Sequence, residues 1–576
     1  MGWLPRVENA KKGLHVFRYS VSENGAAFHI IRDFSQAPGF VWTPSLYEHE
    51  AKVRVTVRNN ESQETAEAEA PFRVISRLTG GHAVVSPTAH PLVALFSAPA
   101  CVQGSQIRVA FRAAETAPVK MTGLEPCRGT LSSNVYVAGM RADAAYQMRE
   151  EVVTGSKVKS GDWLAFHTGL LDGNFPPVSV TKTAGPRPGE AEPILVHSAA
   201  SMSDASRPIA TDLDGNLIWY LRQPVFLTRM VPGGHFLGLA EGLNSVNDIR
   251  RHQLIREFDL AGNTLRETNI GRVAEQLASR GIHSDCKKGA EECVPSFHHE
   301  VIRLPNGHTL ALTGLERMEP AGTQGAKERV DVLGDLIVDL DEDFQVAWVW
   351  NAFDHMDLKR ASIADAKCKI GPGSGGCTSV FLADTANGWL HSNSLNYNPS
   401  DGSLLISMPE QNWVMKVDYG NGKGSGKVLW RLGEGGDFTA KTSDPEPWFS
   451  YQHDAGLEPA GSNLLSILDD GHERKKKHPG ANNRGQVWKL DEKNKTAELI
   501  YNADLGVYAI AVGSAQKLAN GGYSFEAGFI NPGPSPYGQA IETSADGKVV
   551  YAQQVDGFID YRSFRVADLY SAPTKR

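Results

Sequence analysis

The sequence predicts an all-β protein in which two small β-sandwich modules precede a six-bladed β-propeller. Three observations carry that expectation: short period-two segments before residue 180, a hairpin unit that recurs six times after about residue 195, and a proline- and glycine-rich stretch between them. At 576 residues the chain exceeds the roughly 250 to 300 at which a single core stops growing, so modules over 1–82, 83–180 and 190–576 are expected.

The first module shows alternation of the kind a half-buried strand requires, as in Lys52-Val53-Arg54-Val55-Thr56-Val57-Arg58, with Asn24-Gly25 as a turn. In the second, strands are expected around Gln106 to Arg112, Asn134 to Val137, Tyr146 to Glu151 and Trp163 to His167. There the stretch Gly139 to Tyr146 resembles the turn-then-tyrosine corner of immunoglobulin-like and fibronectin-type-III-like sandwiches, in which the phenol bonds to nearby backbone. Pro176, Pro177, Gly185, Pro186, Pro188, Gly189 and Pro193 have linker composition.

The repeat has two parts. One is a strand ending in an acidic turn and leading to a second strand: Asp212 to Trp219, Asp259 to Leu265, Asp339 to Trp348, Asp418 to Trp430, Asp491 to Tyr501, and more weakly Glu542 with Asp546-Gly547. The other is a glycine hairpin, at Met230 to Gly233, Leu304 to Gly307, Leu457 to Gly461 and Leu518 to Gly521. Two alternating hairpins per period make a four-stranded blade, and blades arranged radially leave no long exposed edge.

Composition excludes several function classes. A net charge of -8 offers no footprint for nucleic acid, and no apolar run spans a membrane. The one basic run, His472 to His478, reads as a solvated loop. The glycine-rich segments Gly371 to Gly376 and Gly420 to Gly426 do not join a strand to a helix, as a phosphate-binding loop must. The six cysteines form three sequence-local couples, Cys101 with Cys127, Cys286 with Cys293 and Cys368 with Cys377, none at CxxC spacing. Three disulfides and a periplasmic or secreted protein are expected. Met1 to Arg6 lack the basic-then-apolar pattern of a leader, so the signal peptide is expected to be missing from this sequence.

Histidines open several hairpins: His299-Glu300 before Leu304 to Gly307, His391 before Asp401-Gly402, and His453-Asp454 before Leu457 to Gly461. Matching registers in successive blades would bring three imidazoles to one central pocket. The segments Phe297-His298-His299-Glu300, Trp389-Leu390-His391-Ser392-Asn393-Ser394 and Tyr451-Gln452-His453-Asp454-Ala455 resemble the three histidine motifs of bacterial PAPS-independent aryl-sulfate sulfotransferases. The resemblance implies that His453 is the nucleophile and carries a sulfohistidine. It implies that His299 and His391 assist as sulfate ligands or proton carriers, expected here to be protonated donors, and that His298 can exchange roles with His299. It also implies an aryl sulfate donor, a phenolic acceptor and no cofactor. Asn393 is expected to bind substrate. An arginine of the family pattern is replaced by Pro409, with Glu410 beside it, which leaves Arg474 and Arg562 as candidate cations. The cysteine loops ahead of His299 and His391 are expected to rim the pocket. Two other readings are a hydrolase or lyase with a metal on the three histidines, and a propeller that binds a ligand without catalysis.

Overall fold

The computed structural model describes every residue except 1, 9–10, 44–46, 184–189, 201–206, 224, 242–252, 372–376 and 574–576. Gly185, Pro186, Pro188 and Gly189 of the expected linker, and Pro372 to Gly376, therefore lie outside the described residues. Strands dominate, and no described helix is long and apolar enough to cross a membrane.

Six four-stranded antiparallel sheets form the body of the protein. The second sheet holds Phe226–Val231, His235–Glu241, Gln253–Asp259 and Thr264–Asn269; the third Phe297–Arg303, Thr309–Glu319, Val330–Leu340 and Val346–Asn351. The fourth holds Ser394–Asn398, Ser403–Met408, Trp413–Val417 and Val428–Leu432, and the fifth His453–Leu457, Leu464–Asp469, Arg484–Asp491 and Thr496–Asp504. The sixth runs from Gly513–Lys517 through Tyr523–Ile530 and Tyr537–Thr543 to Val549–Asp556. The first is composite: the C-terminal strand Ile559–Val566 pairs with Ile194–Ala200, followed by Ile209–Asp212 and Leu217–Tyr220. The leading strands of the second to sixth sheets touch one another in sequence, and the round is completed by Ile559–Val566 and its partner Ile194–Ala200.

The recurrent sequence unit has a local cause. In five of the six acidic turns a carboxylate accepts backbone N–H groups two to seven residues on, fixing the reversal locally. Asp212 takes Asp214 and Asn216, Asp259 takes Ala261 and Asn263, Asp418 takes Ser425, and Asp491 takes Asn494. In the third sheet Asp341 performs this task, on Asp343 and Gln345, while Asp339 accepts the Tyr419 hydroxyl at 2.7 Å. The aromatic that follows the turn reaches into the next sheet's turn. Trp219 donates to Leu260 O, Trp350 to Gly426 O, Tyr501 to Ser544 O and Tyr551 to Leu213 O, each within 3.0 Å. Neighbouring sheets are thus joined by a buried ring and a satisfied polar tip, the two things these side chains supply.

Residues 84–167 form two facing sheets, one built on Gln106–Arg112 and Ala145–Thr154, the other ordered Ser133–Val137, Ala94–Ala98, Val84–Pro87. Their core includes Phe96, Val109, Phe111, Val137 and Met148, and the Arg141 N–H donates to the Tyr146 hydroxyl at 2.8 Å, closing the tyrosine corner. Val178–Lys182 leaves this unit and pairs with Val549–Asp556 on the outer edge of the sixth sheet. In place of the sandwich expected over 1–82, the described strands there form one sheet, His29–Ser35, His15–Glu23, His49–Asn59, Thr65–Val74, with a two-stranded ribbon of Gly2–Trp3 and Phe40–Val41. Its edge continues the second sheet through a parallel pairing of Arg32 with Glu267, so the sheet is shared rather than closed on itself.

All three cysteine couples are disulfides, with Cα separations of 5.3, 4.7 and 5.7 Å. The two loops in the later part pack together: Cys286 and Cys293 share a cluster with Leu382, and the Gly289 N–H donates to Leu382 O.

Candidate active site

The histidine segments sit at the leading edges of the third, fourth and fifth sheets. Each enters through irregular backbone. His299, His391, Tyr451 and Asp454 all have φ between 51° and 57°, a left-handed conformation that L-residues adopt at a cost of about 1 to 2 kcal/mol. The registers differ in detail from the expected match. Two extra residues bulge between the paired Phe297 and Val301, one between His453 and Gly456, and His391 precedes the paired stretch altogether. The larger bulge is why the third sheet accommodates two consecutive histidines.

His298, His299 and His391 form a chain. His391 Nε2 lies 3.0 Å from His299 Nε2, His299 Nδ1 lies 2.9 Å from His298 Nδ1, and His298 Nε2 faces Asp335 Oδ1 at 3.3 Å. Burial would raise Asp335, but His298 and Ser392 outweigh it and hold this carboxyl below its ordinary range. The Ser392 N–H donates to its Oδ2 at 2.8 Å. An ionised Asp335 sets the tautomers along the chain, assigned here from their partners: His298 carries its proton on Nε2, His299 on Nδ1 and His391 on Nε2. That leaves the His391 Nδ1 lone pair as the end of the chain.

Burial, then the charge of neighbouring imidazoles, pushes His299 well below the usual histidine value. Burial also lowers His391, against an opposing pull from Glu410. The expectation of two protonated donors is corrected accordingly: a dry site with clustered imidazoles disfavours added charge, and each neutral ring spends its one N–H within the chain.

His453 is only 5 % exposed, and its Nδ1 lies 2.7 Å from Asp470 Oδ2. Burial, then Arg562, lowers it to about 3, while burial raises Asp470 well above the carboxylate range. The imidazole is therefore neutral at physiological pH, with Asp470 holding Nδ1. The Tyr451 backbone also bonds the ring.

Beneath the histidines lies a charged hub. Arg229 donates to Glu300 at 3.1 and 2.7 Å and to Asp454 at 3.2 Å; Arg562 donates to Glu300 at 2.8 Å and to Asn393 O at 2.6 Å. Asp454 also accepts the Ala515 N–H. Four leading strands and the start of a fifth are thereby tied across the centre. Arg562 is the candidate cation within electrostatic reach of His299 and His453. Arg474 is turned elsewhere. The run expected as a solvated loop contains a short helix, His472–Lys477, in which Arg474 is buried and donates to Asp469 and Asn482 O, bracing the turn that carries Asp470. Asn393 spends its amide N–H on Gln452 O at 2.8 Å, linking the His391 and His453 segments.

Where the family pattern has its arginine, Pro409 opens a 3-10 turn and buried Glu410 accepts from the Tyr451 and Ser362 hydroxyls. Tyr451 stacks on His472 with centroids 4.2 Å apart, and Tyr561 lies 5.9 Å from His299 and 4.4 Å from Phe226, so aromatic faces border the histidines. Asp335, Asp470, Arg229 and Tyr561 are given no role by the sequence reading. Only Asp470 had a local signal, the acidic turn Asp469-Asp470-Gly471 directly after the His453 hairpin.

A family model described as Arylsulfotransferase (ASST) matches residues 179–562, from the edge strand of the sixth sheet to Arg562 beside the histidines. The chain belongs to the arylsulfotransferase family. It is similar to the arylsulfate sulfotransferase AssT of Escherichia coli O6:H1, with 23% identity over 334 residues, and the match spans about half of each protein, 50% of this chain and 51% of AssT. Among solved structures it is similar to the dihydro-heme d1 dehydrogenase NirN, with 12% identity, TM-score 0.27 and 65% and 58% of the two chains covered. It is also similar to a Synechocystis apocarotenoid oxygenase mutant, with 10% identity, TM-score 0.24 and 83% and 94% covered.

The buried histidines make folding sensitive to acid. Unfolded, His453 takes up a proton near pH 6.5; folded, it resists until about pH 3, so stability falls as pH drops through that window. Between pH 7 and 5 this one group should cost about 2 kcal/mol. Urea denaturation at the two pH values should show a difference smaller by that amount in His453→Gln; an unchanged difference would count against a neutral buried imidazole.

Proposed function

We propose that the protein is a six-bladed propeller that transfers a sulfuryl group from an aryl sulfate to a phenolic acceptor, by a ping-pong route through a sulfohistidine at His453. The observation that carries the reading is the pairing of His453 Nδ1 with buried Asp470, which in its ionised form leaves the lone pair of the neutral ring on Nε2. An imidazole of this kind is a nucleophile without a metal.

In the first half-reaction Nε2 attacks sulfur, an N–S bond forms and the S–O bond to the aryl group breaks. Positive charge develops on the imidazole and is met by Asp470, which takes a growing share of the Nδ1 proton. The aryl group leaves with the S–O electron pair as the phenolate and is protonated by solvent. In the second half the His391–His299–His298 chain removes the proton of the incoming phenol, its oxygen attacks sulfur and the N–S bond breaks, restoring His453. Charge on the sulfuryl oxygens is met by the field of Arg562, a fixed cation whose charge reaches His453 and His299. The Glu410–Tyr451 pair, in place of an arginine, makes this site less cationic than the family pattern and suits a different donor range.

Three disulfides support a periplasmic or secreted location, and the units over 1–82 and 83–180 are proposed as modules carried beside a catalytic region over 190–576. Incubation with nitrophenyl sulfate followed by peptide mass spectrometry under mildly alkaline conditions should find a sulfuryl adduct on the peptide containing His453. Phenol release without an adduct on that peptide would overturn the covalent route; no release from a panel of aryl sulfates would overturn the substrate class.

A further inference from the structure

We propose that His197, Glu526 and Asp560 form a buried site for one divalent transition-metal ion at the seam where the first and last strands of the six-sheet ring meet. The three residues come from separate strands, Ile194–Ala200, Tyr523–Ile530 and Ile559–Val566, and all are fully buried. One ligand atom from each lies within 4.8 Å of the others, and His197 Nδ1 is 2.6 Å from Asp560 Oδ2.

Two further observations point to a cation. Asp560 Oδ1 and Glu526 Oε1 are buried without a hydrogen-bond partner, an arrangement that leaves carboxylate charge unmet in a dry interior. Space is also reserved beside them: a Cβ on Gly538 would lie 2.5 Å from Asp560 Cβ and 2.9 Å from Glu526 Oε1, so only glycine leaves the cradle open.

The surrounding groups orient the ligands as metal sites require. Gln553 donates its amide to Asp212 O and to the Tyr551 hydroxyl, which fixes its Oε1 as an acceptor, and Thr211 donates to that oxygen at 2.7 Å. His197 Nε2, 3.0 Å from the same oxygen, therefore carries the imidazole proton and Nδ1 presents a lone pair to the carboxylates. Ser563 donates to Glu526 Oε2 at 2.6 Å. One imidazole with two carboxylates favours manganese or zinc over calcium or magnesium. Bonds of about 2.1 Å would spread His197 and Asp560 to roughly 3 Å, a small adjustment.

The ion would act as a staple. Asp560 immediately precedes Tyr561 and Arg562, so the same strand that closes the ring presents two residues to the histidines, and a bond from it to two neighbouring strands sets its position.

The test uses the full chain, purified without a metal-affinity step, stripped with a chelator and dialysed with Mn2+ or Zn2+. Elemental analysis should find about one equivalent of metal and the melting temperature should rise on loading. Glu526→Gln and Asp560→Asn should each lower bound metal at least about tenfold. Less than about a tenth of an equivalent with an unchanged melting temperature would mean that the carboxyls share a proton instead, and would overturn the site. Full metal retention in a folded variant would place the ion elsewhere and overturn it equally. Should neither variant fold, Co2+ absorption by the wild-type chain decides, since imidazole–carboxylate coordination gives visible bands and solvated Co2+ does not change its spectrum.

Discussion

His453→Ala is expected to end phenol release from an aryl sulfate, with a fall on the order of 10^6-fold, comparable to the loss of other nucleophiles. The expectation rests on what the other histidines are doing. His298 and His299 have their nitrogens turned to Asp335 and to one another, and His391 has Nε2 turned to His299. His453 alone of the four has Nδ1 held by a buried carboxylate, at 2.7 Å. Steady-state release of nitrophenol and single-turnover adduct formation should both vanish in the variant, while circular dichroism stays unchanged. Retention of more than about a hundredth of the rate would move the nucleophile elsewhere, and His391 Nδ1 would be the first alternative.

Asp470→Asn should lower kcat by about 10^2 to 10^4 with little change in KM, because the amide can still meet Nδ1 but cannot neutralise the cationic ring that forms with the N–S bond. Its pH profile distinguishes charge from packing. Burial holds the Asp470 carboxyl well above its ordinary value, while His453 itself is neutral down to about pH 3. A protonated Asp470 would donate to Nδ1 and place the ring proton on Nε2, blocking attack. Activity should therefore fall as pH drops through the raised carboxyl value, and that acid limb should be missing in Asp470→Asn. An identical limb in both proteins would assign it to another group, and a purely structural role for Asp470 would follow.

Much of this molecule is written in local chemistry, and that part was readable. The aspartates of the repeat close their own turns within a few residues, and the disulfides join cysteines 7 to 26 positions apart. Even Trp219 and Tyr501, whose partners are in the next sheet, announced themselves by following those turns. The histidine segments were visible as residue types at hairpin starts. Their geometry was not, because bulges of different length displace the registers by amounts no spacing encodes.

The unread part consists of long-range polar partners. Arg229 finds Asp454 across 225 residues, Arg562 finds Glu300 across 262, and Glu410 meets Tyr451 from a neighbouring sheet. Each looks like an ordinary charged residue in its own segment. Arg474 shows the converse: a basic side chain in a lysine-rich run has no sequence mark separating it from its solvated neighbours, yet it is buried against Asp469. The parallel pairing of Arg32 with Glu267 is similarly silent, since an edge strand carries no sign of what will continue its sheet.

The hub of Arg229, Glu300, Asp454 and Arg562 also has a topological meaning for traffic. Side chains from opposite sides of the ring meet across its middle, and for the proposed transfer this network serves as the floor of a blind cup. A guest that enters a blind cup has one exit. For the proposed transfer, the spent phenol must vacate the same doorway through which its successor arrives, and the sulfuryl group must wait on the protein during the exchange. The floor thus imposes an order on events, one visitor at a time, before any side chain touches sulfur.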